Sequence, residues 1–408
     1  MAISVQKRFV SQQKTIWLLA IAGGAAVMNV FYNQPLLAEI AESFHVSARA
    51  ISSIPAFTQI GFGIGVLLFV PLGDMVERRR LIPILMAGVA CALLAVALAP
   101  NLFWLSVACL LTGLTTVIHP IVLSFTAQIT ALPQRGKAVG TVLSGIFTGM
   151  LLSRTASGFI GTHLGWRAIY SLAAGLMIVL AIVLALLLPK SPSPKISYPE
   201  LMRSLPRLIV EQPVLRETAV IGAMQFGVFN AFWTTLVFLL ATPPYHYGSE
   251  VAGLFGLVGI VGITAAPLVG RLADGKAPRL IGLALIAIAL AYAVFLFFGY
   301  YLWGLIAGAI LLDLGVQAGL VFNQARIYTL LPETYTSRLN TVYAFFYYLG
   351  GALGSTLGAY GWSVWKWKGV CLVGFCMISI AFVAYFRRRN IKPVLSGEVG
   401  RSTHHTPP

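Results

Sequence analysis

Twelve long apolar stretches follow one another along the 408-residue chain, separated by short polar breaks. A helix of about 20 residues crosses the hydrocarbon core of a bilayer. An outer-membrane β-barrel is excluded, because its strands would place apolar residues at alternate positions. The sequence therefore predicts an all-α integral membrane protein. We number the stretches spans 1 to 12, with expected bounds 16–39, 50–72, 81–98, 102–127, 138–160, 166–188, 218–240, 251–272, 280–298, 302–326, 339–360 and 369–385.

The composition also indicates a membrane protein. Hydrophobic residues make up 58% of the chain and charged residues only 10%, which leaves too little polar surface for a soluble fold. The net charge of +16 is compatible with a nucleic-acid partner, but the basic residues lie between the spans rather than in one stripe. We therefore expect a lipid bilayer, and no nucleic acid, as the partner of this surface.

The basic residues predict the orientation of the chain in the membrane. If both termini are cytoplasmic, 23 of the 28 Lys and Arg residues fall in cytoplasmic segments, as the positive-inside rule requires. Arg154 lies inside span 5, and only four basic residues fall on the outer side. We expect a multi-pass protein with cytoplasmic ends.

The second half of the chain repeats the first. Matching residues recur at an offset of 200 or 201, namely Asp74 and Asp274, Asn29 and Asn230, Phe31 and Phe232, and His45 and His246. Such a constant offset predicts duplication. We expect two pseudo-symmetric six-helix bundles at residues 1–189 and 218–390, a cytoplasmic linker at 190–217 and a polar cytoplasmic tail at 391–408.

The chain carries no motif for catalysis or for a cofactor. It has no phosphate-binding loop, no cluster of metal ligands and no nucleophile with a base at motif spacing. Its four cysteines all lie inside spans, without the spacing of a metal site or a disulfide framework. We expect no cofactor, no metal and no enzymatic activity.

The repeated loops carry a family resemblance. The run from Val70 to Asp74, continued by three arginines, and its second copy at 270–279 resemble the signature loop of the major facilitator superfamily of secondary transporters. The segments 31–37 and 323–326 resemble a group of bacterial permeases labelled efflux transporters. The resemblance implies alternating access, a monomer in the bacterial inner membrane, and protons and a small molecule as transported partners.

The two repeated loops are predicted gating elements. An acidic residue at a helix end, beside basic residues, forms a charge network that can be broken and remade. We expect this network to hold the cytoplasmic side in one conformation. The alternative is that the cations only set the topology. The predicted gating residues are Asp74, Arg78, Arg79, Arg80, Asp274 and Arg279.

Three ionisable residues lie deep inside spans, namely Arg154, Asp313 and His119. Each is costly in lipid unless it has a partner or a wet cavity, so such residues indicate function. We predict that Asp313 binds a proton or a cation and that Arg154 is its coupling partner or an anion site, with His119 as the next candidate. The alternative is structural: Asp313 and Arg154 tie helices together, and a hydroxyl of Thr115 or Thr116 satisfies His119.

Polar residues at helical spacing predict a substrate cavity. They mark single faces of spans 1, 4, 7 and 10, which in the resembled family surround the central cavity. The alternative is that these side chains only pack helices together. The predicted polar cavity residues are Asn29, Asn33, Thr112, Gln225, Asn230, Thr234, Gln317 and Gln324. Four aromatic residues are also predicted to line the cavity, namely Tyr32 and Trp233 in spans 1 and 7, and Tyr343 and Tyr347 in span 11.

Glycines recur every four residues in spans 5 and 11. This spacing predicts flat faces that allow a neighbouring helix to approach closely. We interpret these faces as surfaces that slide or rock during transport. The glycines are Gly145 and Gly149 in span 5, and Gly350, Gly354 and Gly358 in span 11.

These features predict a secondary active transporter with its substrate near the middle of the membrane. We expect proton-coupled export of a small organic molecule. Two alternatives remain open: proton-coupled uptake of a small metabolite by symport, and a membrane sensor or membrane enzyme that transports nothing.

Overall fold

A computed structural model describes residues 2–73, 75–189, 198–259, 277–330 and 336–387. These residues form helices and no strand, in agreement with the predicted all-α class. Ten of the described helices are long and apolar enough to cross a membrane. Large apolar side chains on their outer faces are exposed, among them Trp17, Ile84, Leu186 and Phe297. Such exposure is what lipid-facing helices require.

The first half contains six spans, of which span 2 is preceded by a short helix and spans 1 and 4 are broken. Each break has a proline as its cause, because Pro35 and Pro120 lack the N–H that would bond to the carbonyl four residues earlier. The helices are Ala2–Phe31 and Asn33–Ser43 (span 1), Ser53–Gly73 after the short Ala48–Ile51 (span 2), Arg78–Ala97 (span 3), Leu102–Thr115 and Ile118–Ile129 (span 4), Leu132–Leu164 (span 5) and Trp166–Leu187 (span 6).

The second half follows an amphipathic linker helix, Tyr198–Glu211, which buries Leu201, Leu205 and Leu208. The linker is thus partly helical, which its polar composition did not indicate. The spans are Pro213–Leu240 (span 7), Ser249–Leu254 with the 3-10 turn Phe255–Gly259 (start of span 8), Ala277–Phe298 (span 9), Leu302–Tyr328 (span 10) and Thr336–Arg387 (spans 11 and 12). Non-helical angles at Trp365 and Lys366 divide that last helix into two.

Corresponding positions in the two halves share unusual features. His45 after span 1 and His246 after span 7 have φ of 53° and 54°, a left-handed conformation that few non-glycine residues adopt. Close helix packing is also repeated: a Cβ on Gly149 would overlap the carbonyl of Gly24 in span 1, and one on Gly354 would overlap that of Gly227 in span 7. The duplication is therefore visible in the backbone.

The glycine faces of spans 5 and 11 pack inside a half, not between the halves. Span 5 lies on span 1 and span 11 lies on span 7, because each missing side chain leaves room for the neighbouring backbone. The predicted close packing is therefore present, and the interpretation of these faces as surfaces that slide or rock during transport stays a prediction. The contacts are Gly145 with Ala20, Gly149 with Gly24, Gly350 with Ala223, Gly354 with Gly227, and Gly358 with Ala231.

Among the described residues, the most extensive contacts between the halves involve two other pairs of spans. Span 5 packs on the start of span 8, where Gly158 approaches Ser249 and Gly253, and Thr155 Oγ1 donates to the Gly253 carbonyl at 3.1 Å. Span 2 packs on span 11, where the rings of Phe62 and Tyr348 lie 4.1 Å apart. Small residues at the first contact let the two backbones come together.

Candidate functional site

A network of polar side chains crosses from one half to the other. Arg154 in span 5 donates from Nε to Oε1 of Gln34 in span 1 at 2.8 Å. Gln34 and Gln59 in span 2 both donate to Oδ1 of Asn230 in span 7, at 3.4 and 3.2 Å. Asn230 donates in turn to the carbonyl of Phe226 at 3.0 Å. Three spans of the first half are thus tied to one span of the second.

Aromatic rings surround the Arg154 guanidinium, which is only 2% exposed. Its Cζ lies 4.0 Å from the ring centre of Trp233, 4.9 Å from that of Phe31 and 5.5 Å from that of Phe229. Cation–π attraction offsets part of the cost of removing the charge from water. The Nη2 atom nevertheless has no hydrogen-bond partner among the described residues. A buried donor of this kind is available to a ligand.

Asp313 in span 10 brings a carboxylate to the same place. It is 4% exposed, and its charge interacts with that of Arg154, yet the structure records no ion pair within 4 Å between them. Its Oδ2 has no hydrogen-bond partner among the described residues. A Cβ on Gly259 would lie 3.1 Å from that oxygen, so a glycine leaves the carboxylate its space. The two predicted charged residues therefore come from opposite halves and interact with each other.

Trp233 lies beside both charges. Its ring packs under the guanidinium of Arg154, and its indole nitrogen lies near the carboxylate of Asp313 without the geometry of a hydrogen bond. The indole N–H is consequently a second donor that has no partner in the described part of the chain.

His119 belongs to a separate aromatic layer. Its ring stacks on Phe62 with centroids 5.3 Å apart, and Phe62 contacts Tyr348 of the other half. Its Nδ1 has no partner among the described side chains, while the hydroxyls of Thr115 and Thr116 donate to carbonyls of their own helix. The expected hydrogen bond between His119 and a hydroxyl of Thr115 or Thr116 is therefore absent at Nδ1.

The predicted cavity residues of the first half contact neighbours within that half. Their contacts are those of helix packing, although Oδ1 of both Asn29 and Asn33 has no described partner. The contacts are Asn29 Nδ2 with Met177 Sδ at 3.6 Å, Asn33 Nδ2 with Thr58 Oγ1 at 3.1 Å, Tyr32 edge-on to Tyr170 at 6.4 Å, and Thr112 Oγ1 with its helix carbonyl at Ala108.

Of the predicted cavity residues in the second half, Trp233 contacts Arg154, and Asn230 joins the same network through Gln34. Gln225 accepts from Asn323 at 2.8 Å, and the Tyr343 hydroxyl lies near Asn323 without a hydrogen bond. Gln317 is 9% exposed. The remaining pairs are Gln324 with Asn340 at 3.3 Å, Thr234 with Ser355 at 3.0 Å, and Tyr347 stacked on Phe226 at 4.1 Å.

Of the predicted gating residues, Asp74 and Asp274 lie outside the described residues, so the latch remains a prediction. Arg78 is the buried cation of the first loop: it donates to the Gly73 carbonyl at 2.8 Å and to Gln128 at 2.7 Å, which ties the ends of spans 2 and 4 together. Arg80 makes a surface ion pair with Glu77 at 3.5 Å. Arg79 is partly exposed and Arg279 is exposed.

Sequence reasoning did not select three residues that the structure places in these networks. Gln34 and Asn323 stand within the segments that carry the permease resemblance, and Gln59 is the one amide in span 2. A lone amide in an apolar span was the available signal, because a polar group in lipid needs a partner.

Comparisons with known proteins identify the family. The model of the Major Facilitator Superfamily matches residues 19–355. The uncharacterized transporter YgaY of Escherichia coli O157:H7 is 37% identical over 374 residues, which cover 91% of this chain and 95% of YgaY. A probable transporter of Streptomyces coelicolor is 31% identical over 90% of this chain and 86% of its own length.

More distant relatives agree with this assignment. A probable sugar efflux transporter of Helicobacter pylori is 25% identical over 87% of this chain and 89% of its own length. The inward-facing, unoccupied crystal structure of a bacterial homolog of the human lysosomal transporter Spinster superposes with a TM-score of 0.72 at 15% identity, covering 92% of this chain and 96% of that one. The chain belongs to the major facilitator superfamily of multi-pass membrane transporters.

Proposed function

We propose that this transporter works by alternating access and exports a small organic molecule in exchange for protons, with Asp313 as the proton site and Arg154 as its coupling partner. The observation that carries the proposal is the buried polar network that joins Gln34, Gln59 and Arg154 of one half to Asn230 of the other. Asp313 lies beside this network with an unpartnered oxygen.

The coupling follows from charge. A proton on Asp313 removes the negative charge that faces Arg154, so the energy of the closed interface differs between the two protonation states. Opening the halves toward one side breaks the bonds from Gln34 and Gln59 to Asn230 and admits water to the carboxylate. Proton exchange at Asp313 is thereby linked to the side on which the site is open.

The oligomeric state, the orientation in the membrane and the direction of transport are each supported by a different observation. Each half supplies part of the network, so one chain contains a complete site, which supports a monomer as the functional unit. The distribution of basic residues supports cytoplasmic termini in a bacterial inner membrane. The direction of export is supported by the name of the Helicobacter pylori relative, a probable sugar efflux transporter.

The test is substrate-dependent proton movement in vesicles. Purified protein is reconstituted with a pH-sensitive dye inside, and candidate small molecules are added under an imposed pH gradient. We expect proton movement opposite to substrate movement, and its loss in Asp313→Asn. Glu211→Gln makes the same chemical change in the exposed linker helix and should retain the signal. Protons and substrate moving together would indicate uptake by symport, and substrate flux that ignores the pH gradient would overturn proton coupling.

A further inference from the structure

Two opposite charges at the interface of the halves each keep an unpartnered atom. Arg154 is 2% exposed and Asp313 is 4% exposed, and their charges interact across more than ion-pair distance. Within the described structure, neither Nη2 of Arg154 nor Oδ2 of Asp313 has a hydrogen bond. Buried charges that are only partly paired are costly, so groups that complete both would bind strongly.

We propose that the substrate of this site is a small zwitterion with an apolar body, such as an apolar α-amino acid, whose carboxylate binds Arg154 and whose ammonium binds Asp313. The inference rests on the proposed function, because it assigns the substrate class of the same site.

The unpartnered atoms match a zwitterion in number and kind. Nη2 of Arg154 is a charged donor without a partner among the described residues, which suits a carboxylate. Oδ2 of Asp313 is a charged acceptor without a partner among the described residues, which suits an ammonium group. These two atoms belong to opposite charges that come from opposite halves and interact with each other. A sugar hydroxyl uses donors and acceptors without needing either charge.

Net charge selects the same class of molecule. Arg154 and Asp313 together are neutral, and a zwitterion leaves the occluded site neutral. A substrate with a single charge would bring an uncompensated charge into a site walled by Phe31, Phe229 and Trp233, where the low dielectric makes it costly. The same aromatic walls suit an apolar side chain on the substrate.

The arrangement also makes the proton and the substrate compete. A proton on Asp313 removes the acceptor that the ammonium needs, so proton binding and substrate binding exclude each other, as exchange requires. Among the described residues, Arg154 is the charged group that acts on Asp313. Other titratable groups on neighbouring spans have partners of their own. The Tyr292 hydroxyl donates to the Val228 carbonyl, and Glu217 pairs with Arg326 at the far end of span 10.

The first experiment compares three probes that share one side chain. Leucine carries both charges, leucinamide only the ammonium, and N-acetylleucine only the carboxylate. Binding is measured from the shift in melting temperature of the purified protein, with the other apolar amino acids screened alongside. We expect a saturable shift with leucine or another apolar amino acid, and affinity at least about tenfold lower for the corresponding amide and N-acetyl derivative, because each lacks one charge-assisted contact.

The second experiment exchanges the charge preference. Asp313→Asn leaves the site with the Arg154 charge alone and should bind N-acetylleucine better than leucine. Arg154→Gln leaves the Asp313 charge alone and should favour leucinamide. A general folding defect would lower all three affinities together, so the exchange of preference is specific. If a single variant does not fold, the neutral double variant Arg154→Gln/Asp313→Asn replaces it and should bind none of the charged probes, and Glu211→Gln is the matched control.

The outcomes separate this inference from the proposed function. Three results would overturn the proposal of a zwitterionic substrate. They are equal responses to the three probes, a preference of the native protein for a singly charged probe, and no response to any apolar amino acid. If an uncharged sugar still drives proton exchange in vesicles, the proposed function holds and only the zwitterionic substrate class is wrong. If amino acids bind but no substrate moves protons, the substrate class stands and proton exchange fails.

Discussion

The guanidinium of Arg154 and the carboxylate of Asp313 come from opposite halves of the chain and are near enough for their charges to interact, without an ion pair within 4 Å. A directly bonded pair would hold the halves together, and removing one partner would leave a buried charge. A separated pair interacts more weakly and leaves atoms for a proton or a ligand. This spacing makes the pair suited to a site that must change state.

Asp313→Asn should uncouple transport from the proton gradient. The amide keeps the shape of the side chain but cannot bind or release a proton, so accumulation driven by a pH gradient is lost while downhill exchange of a substrate survives. Radiolabelled flux in vesicles at several pH values measures both. Concentration of substrate by Asp313→Asn with the pH gradient as the only energy source would remove this residue from coupling and leave His119 as the next candidate.

Gln34→Leu should weaken the closed interface and leave the Arg154 Nε without its acceptor. A hydrogen bond to a buried charge contributes about 2 kcal/mol, so a comparable loss in the free energy of unfolding is expected. Tyr198→Phe removes an exposed hydrogen bond, from the Tyr198 hydroxyl to the Leu68 carbonyl at 3.2 Å, and is the control. Thermal unfolding of the purified variants provides the measurement, and equal stability of Gln34→Leu and the native protein would show that this bond contributes nothing.

Gly354→Leu should destabilise the second half itself. Its side chain would meet the backbone of Gly227 inside the bundle, and overpacking of this kind costs roughly 3 kcal/mol. We therefore expect lower yield and a lower melting temperature. The sequence predicts that a change at this glycine slows conformational exchange. Its position inside one half indicates that folding is affected more. If Gly354→Leu has native stability but transports slowly, Gly354 belongs instead to a contact that moves during transport.

Gly158→Leu should impair transport more than folding. It lies where span 5 meets Ser249 and Gly253 of the other half, so a larger side chain holds the halves apart without entering either bundle. Transport should fall at least about tenfold while each half remains folded. Spin labels placed on the two halves would report the separation by distance measurement, and an unchanged distance distribution would contradict the expectation.

Asp74→Asn should stop transport while the protein still inserts and folds. The change removes the predicted partner of the cations after span 2 and nearly keeps the shape of the side chain. The described part of this loop already contains Arg78 bonded to Gly73 and Gln128, so the cation is in position at the helix end. Native flux in Asp74→Asn, at equal protein content of the vesicles, would exclude the latch.

The sequence was sufficient to predict the membrane class, the duplicated halves and the residues that carry charge at depth. These properties follow from local chemistry: lipid requires long apolar runs, and a charged group such as Arg154 or Asp313 persists there only for a reason. The breaks at Tyr32 and Thr116 were also encoded locally, in Pro35 and Pro120, although no break was predicted there.

Only the tertiary structure decided which helix faces meet. Helical spacing places residues on one side of a span but does not identify the neighbouring helix, so it predicted close packing at Gly354 without its partner Gly227. The same limit concealed the bond from Gln34 to Asn230, two residues 196 positions apart whose spacing carries no helical period. The site between the halves is determined by long-range packing, because the hydrogen bonds that join Arg154, Gln34 and Asn230 connect distant parts of the chain.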